Sequence, residues 1–274
     1  MTDMTSDLEL RQAALRTCVR HVYQAFGSYR LARYIEPDGC FPDACDDRPL
    51  RADSLSQLPA AAFDRYQGKA ITTWGSVDDF KRFLPRMLEL IAFPNADARP
   101  MPLKYGFPYT VDGYSVFGKL EYGQWRRWRK AERNALDGYF DALWSFSLAM
   151  PVKLESGRYE QASLSGLLSD FSLAHEDVTR FLKHWDAEAA DPTSGLTAAA
   201  HLAASVVCHR DSLLELDSPT GRQDNQQLAW LASDDVAKLL ESAFFRWSET
   251  PYADLISQAH DWLGWIRRRR ADQQ

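Results

Sequence analysis

Cysteine and histidine are the residues whose spacing here could do chemistry. Cys40 and Cys45 have four residues between them in EPDGCFPDACDD, Glu36–Asp47. That separation falls within the range of paired zinc ligands. Cys18 and His21 are three apart in a helical pattern, hence on one face. If the Glu36–Asp47 stretch folds back on that helix, Cys18, His21, Cys40 and Cys45 would close a tetrahedral zinc site. The competing reading makes Cys18 a core thiol and leaves Cys40 and Cys45 in an irregular loop. The second half adds Cys208 beside His209 but no C-x-x-C knuckle. The five acidic residues around Cys40 and Cys45 lack the D-x-D-x-D-G calcium pattern.

A basic run with aromatics, WRRWRK at Trp125–Lys130, invites a second chemistry. Arg126, Arg127, Arg129, Lys130 and Arg133 could face phosphates while tryptophans stack on bases. The spacing favours a solvated helix face instead. Trp125 and Trp128 continue into an inner stripe, and the arginines take the outer side with Glu132, Asp137 and Asp141 as pairing partners. The run Arg267–Arg270 reads likewise, as cations complementing a helix C-terminus.

Acyl-transfer, zinc-protease, P-loop and dinucleotide motifs are all absent from the sequence. The six histidines are scattered. This pattern points away from an enzyme, although acid–base groups can still assemble in three dimensions.

The elements that must position these residues read as helices. Leu8–Phe26 carries apolar residues at helical spacing. Ser76 is a good N-cap, with Asp79 placed to meet free N–H groups. Phe80, Phe83, Leu84, Met87, Leu88 and Ile91 then form a buried stripe, with Asp78, Arg82, Arg86 and Glu89 opposite. Pro85 lies inside this helix. Ala60–Ile71 and Gln124–Met150 are expected as helices, the second running unbroken to Pro151. Val111–Tyr114 reads as a hairpin turn or as a turn between helices. Later helices are expected at Gln161–Leu173, Glu176–Ala190, Leu196–His209, Asn225–Trp230 and Asp234–Trp247. Thr250 is expected to cap a last helix with Pro251 at its first position.

With no repeat period and no clear linker, the expectation is a single all-α domain over 1–274. It would be an irregular multi-helix bundle or solenoid-like domain of about nine helices, with room for one short β-hairpin. A split near Pro151 is the alternative.

Composition narrows the partner. The net charge of −6 argues against bulk electrostatic binding of nucleic acid. No stretch approaches the roughly 20 apolar residues of a membrane span. The N-terminus, MTDMTSDLEL, shows no secretory pattern, so thiols in a reducing cytoplasm are expected.

One segment resembles an uncharacterised family of bacterial proteins: KAITTWGSVDDFKRFLPRMLEL, Lys69–Leu90, preceded by RPLRADSLSQLPAAAFDRY. The likeness extends through GKLEYGQWRRW to ALDGYFDALW. It implies a bacterial, cytosolic, helical protein and brings no activity. A close cysteine cluster stands upstream in that family, whereas Cys40 and Cys45 are more widely spread here.

The expected function is a protein-binding module, in particular an immunity-type protein that neutralises a toxic effector. Its acidic surface would complement a basic toxin, with Trp125, Arg126 and Arg129 at the contact. No cofactor is expected in that case. The alternative is a metal-dependent enzyme or metal-stabilised domain using the Cys/His site with zinc.

Overall fold

Capping chemistry starts the helix that organises much of the fold. In a computed structural model, which describes residues 2–31, 33–36, 45–94, 103–104, 107–108, 111–152, 164–214 and 226–271, Ser76 and Asp79 form a reciprocal capping box. The Asp79 N–H donates to Ser76 Oγ, and the Ser76 N–H donates to Asp79 Oδ2 at 2.9 Å. Free N–H groups at the start of helix α4 (Val77–Ala92) are thereby satisfied. Pro85 sits inside this helix, as its position predicts, and supplies no N–H to the ladder there.

The described residues form thirteen α-helices rather than about nine; short helices at Arg48–Arg51, Gly113–Tyr122 and Arg210–Leu214 form in stretches where no helix was expected. Two strands, β1 (Leu103–Lys104) and β2 (Phe107–Pro108), pair antiparallel over two residues each. No helix among the described residues is long and apolar enough to cross a membrane. The helices group into two compact units, each discontinuous in sequence.

The first unit comprises Gln12–Leu143 with Asp170–Glu176. It holds most of α1 (Thr2–Phe26), then α2 (Arg48–Arg51), α3 (Tyr66–Lys69), α4, α5 (Gly113–Tyr122) and most of α6 (Lys130–Ala149). Phe80, Phe83, Leu84, Met87 and Leu88 are fully buried, as their spacing predicts. Arg86, expected on the outer side, is buried instead. Its Nε donates to Leu58 O and its Nη1 to Glu89 Oε2, each at 2.8 Å. Those bonds explain how a guanidinium lies in the interior.

Two predicted helices are shorter than expected. Ala60–Ile71 splits into a 3₁₀ turn at Ala60–Phe63 and the single-turn α3. The chain then turns sharply: the N–H groups of Thr72, Thr73 and Trp74 all converge on Lys69 O. Ile71 takes φ 68° there, a costly conformation for a β-branched residue. Trp74, 2 % exposed and packed against Tyr66 at 5.4 Å, anchors the turn. The predicted Gln124–Met150 helix also breaks, with Gln124 at φ 53° and a 3₁₀ turn over Trp125–Arg127 before α6. The indoles account for the break. Trp125 Nε1 donates to Ala174 O and Trp128 Nε1 to Gly123 O, which holds both rings inward.

A buried charge cluster joins the end of α1, α4 and α6. Glu132 is wholly buried and Lys81 is 7 % exposed. Lys81 Nζ donates to Glu132 Oε2 at 3.0 Å, Tyr29 Oη donates to Glu132 Oε1 at 2.7 Å, and Arg129 Nε donates to the same oxygen at 2.7 Å. The ammonium also lies 4.3 Å from the Trp128 ring centroid. Burial alone would raise the Glu132 carboxyl, but bonds from Tyr29, Arg129 and Lys81 outweigh it and hold it below its ordinary value.

The second unit comprises Met1–Arg11, Trp144–Ser169 and Asp177–Gln274. Helix α9 (Leu196–Cys208) runs through it, and Ala198, Ala199, Ala200, Ala203 and Ala204 are all buried. Helices α8 (Thr179–Ala190), α12 (Asp234–Arg246) and α13 (Ala253–Ala271) pack on it. Small side chains allow that close approach. Trp144 and Trp185 meet edge to face at 5.3 Å and donate to Phe181 O and Ala198 O, both at 2.9 Å. Arg11 grips Glu188 with two bonds of 2.9 Å. Ser233 caps α12, its Oγ accepting from the Val236 N–H. Thr250 does not cap α13; its hydroxyl donates back to Trp247 O, and the helix starts at Ala253.

The Glu132 cluster sets a stability test. Glu132→Gln leaves the Lys81 ammonium buried without its counter-charge, which costs about 3–5 kcal/mol. The denaturant midpoint should fall accordingly, and Lys81→Met combined with Glu132→Gln should recover part of the loss. Because the folded carboxyl titrates below its ordinary value, its stabilisation is complete above the usual carboxylate range and is lost as pH falls through the folded value.

Candidate functional site

Helix α13 presents two faces of opposite character. Leu255, Ile256, Ala259, Leu263 and Ile266 are buried, as their spacing predicts. On another side Asp254, Ser257, Gln258, Asp261, Trp262 and Trp265 line a groove of about 510 Å³. Their spacing of three and four residues stacks them one above another along the helix. The two indoles meet edge to face, centroids 5.3 Å apart, and Trp265 is 39 % exposed. An exposed indole flanked by exposed carboxylates invites a cation. The chain's own cations already use these rings: Arg210 lies 5.8 Å from the Trp262 centroid and Arg269 lies 5.3 Å from that of Trp265. The neighbouring Arg267, read from sequence as a helix-end cation, pairs with Asp234.

The residues expected at a partner contact lie elsewhere. Trp125 is 1 % exposed, so its ring is core rather than surface. Arg126 is exposed, but its Nη2 reaches Ala174 O at 3.3 Å and approaches His175 Nδ1 at 3.2 Å. Arg129 is tied to Glu132 and to Ser28 Oγ. Arg127 donates to Gln124 Oε1, and Arg133 to Arg126 O. The basic run thus largely satisfies its own surroundings, as the solvated-face reading holds.

The expected zinc ligands are placed as follows. Cys18 is half-buried on α1, and burial followed by the nearby Asp141 pushes its thiol up, away from the thiolate a metal needs. His21 is exposed on the same helix, and Cys45 is buried. Cys40 lies outside the described residues. Among the described residues no three His, Cys, Asp or Glu side chains converge on a metal position.

One carboxyl stands out as an unusually weak acid. Burial, then repulsion from Asp112, pushes Asp170 up to about 6. Asp112 is the N-cap of α5: its Oδ1 accepts from the Ser115 N–H at 2.7 Å. With that capping a helix starts at Gly113, so Val111–Tyr114 is not a hairpin turn; the short strand pair lies before it, at Leu103–Lys104 and Phe107–Pro108. Asp170 packs so closely on Gly113 that a Cβ there would lie 2.7 Å from its Oδ2. Asp112 is committed to capping the helix, and Asp170 packs against backbone.

The α13 groove was not legible as a site because its indoles resemble core residues in composition. The available signal was Trp262 and Trp265, outside the apolar stripe and interleaved with Asp254 and Asp261. No protein-family model, curated protein or solved structure matches the chain.

The Asp170 environment predicts a pH effect of defined sign. A carboxyl raised in the folded state favours folding when protonated, so stability falls as pH rises toward about 6. Asp170→Asn should raise the melting temperature near neutral pH and flatten that decline in a series of thermal melts.

Proposed function

We propose that the chain is a protein-binding module that takes a basic segment of its partner on the acidic–aromatic face of α13. The observation that carries this reading is the Asp254–Asp261–Trp262–Trp265 groove in a chain of net charge −6. Lysine or arginine side chains would lie against the indoles while the carboxylates neutralise them. The long-range field of an acidic chain steers such a partner into place. Neutralisation of a basic toxic effector by direct binding is the specific form that this charge balance favours.

A lysine- and arginine-rich peptide provides the probe, with an acidic peptide of equal length as control. Tryptophan fluorescence should report saturable binding of the basic peptide alone, weakening as salt rises. Trp265→Ala should weaken it about tenfold, the loss of one cation–π anchor of roughly 1–2 kcal/mol. Asp254→Asn with Asp261→Asn should weaken it at least as much. Equal binding of both peptides, or binding indifferent to these substitutions, would overturn the assignment.

A further inference from the structure

A second groove, of about 420 Å³, is walled by α1 and α4 within the Gln12–Leu143 unit. Its volume is that of a small-molecule pocket. Arg16 and Arg20 line it from successive turns of α1. The Arg16 guanidinium stacks 4.4 Å from the Phe93 ring centroid, and Arg20 Nη2 donates to Thr17 Oγ1 at 2.9 Å. Neither guanidinium has a carboxylate partner among the described residues.

The groove does contain one carboxylate, Glu89, but its charge is engaged from behind. Glu89 Oε2 accepts from Tyr23 Oη at 2.7 Å and from Arg86 Nη1 at 2.8 Å. Arg86 is 4 % exposed and fixed to Leu58 O, so this wall is rigid. The local balance in the groove is therefore positive, in a chain whose net charge is −6. Acidic chains have no shortage of carboxylates with which to pair surface arginines. Two guanidiniums with no carboxylate partner among the described residues, beside a phenyl ring, make a site in which planar donors and an apolar wall converge.

We infer that this groove binds a small organic anion, a carboxylate or phosphate group carried on a planar apolar body. The anionic oxygens take hydrogen bonds from Arg16 and Arg20 in the bidentate manner that guanidinium favours. The apolar body lies along the Phe93 side, and Glu89 accepts from any N–H that the ligand carries. The site is independent of the α13 face.

The test uses the full chain with benzoate and phenyl phosphate as probes, followed by titration calorimetry or ligand-observed NMR. Inorganic phosphate and benzyl alcohol separate the contributions of charge and ring. At least one aryl anion should bind with a dissociation constant of about 1 mM or tighter. Arg16→Gln with Arg20→Gln should weaken it at least tenfold, with an unchanged circular-dichroism melt. Arg16→Lys with Arg20→Lys should give an intermediate loss, since charge remains without the planar fork. Phe93→Leu should weaken the aryl anions more than inorganic phosphate. No aryl-anion binding below about 10 mM, binding unchanged in the glutamine variant, or inorganic phosphate binding as tightly as phenyl phosphate would each overturn the inference.

Discussion

A carboxylate without contact to water is tolerable only if other groups replace that water. Glu132 meets this condition through a lysine, a tyrosine hydroxyl and an arginine, drawn from three parts of the chain. The constraint reaches far. Lys81 must leave the outer face of α4, Tyr29 must follow α1 closely enough to reach inward, and Trp128 must turn its ring to cover the ammonium. Trp128 in turn packs on Phe26 at 5.9 Å and is bonded to Gly123 O. The break before α6, the end of α1 and the orientation of α4 are thus parts of one arrangement, satisfied together or not at all.

Much of the helical framework was legible because its signals are local. The Ser76–Asp79 cap, the Ser233 cap, the α4 stripe and the buried face of α13 depend on residues within a turn or two of one another. The failures have two causes: contacts between residues far apart in sequence, and local alternatives that the residue types do not separate. Glu132 and Lys81 lie 51 positions apart, so nothing nearby in sequence marks either as buried. At the break over Gln124–Arg129, Trp125 bonds to the distant Ala174 O and Trp128 to Gly123 O five residues back, so only part of its signal is local. Asp112–Gly113 suits a hairpin and a helix start equally well, and only the Ser115 N–H decides between them. Thr250 and Pro251 carry the right residue types for a helix start, yet the hydroxyl turns back to Trp247 O.

The candidate sites follow the same division. The cysteine spacing that drew attention in the sequence yields no gathered ligand set among the described residues. The basic run at Arg126–Arg133 is largely consumed by local bonds. Two other clusters lie elsewhere: carboxylates beside indoles on α13, and guanidiniums beside a phenyl ring between α1 and α4. The two have opposite charge preferences. On the two proposals, one chain would offer separate surfaces to cations and to anions, which a single value of net charge conceals.

Helix α9 carries a further consequence for how this chain can vary. Its alanines are enclosed on every side, with α8, α12 and α13 packed against them. Adding even two methyl groups at such a position would press on neighbours that have no space to retreat, at a cost of about 1–3 kcal/mol. Large side chains at the rims of the unit have solvent to move into. In this part of the molecule, the buried alanines of α9 are constrained against enlargement much as the buried indoles of Trp144 and Trp185 are constrained against truncation.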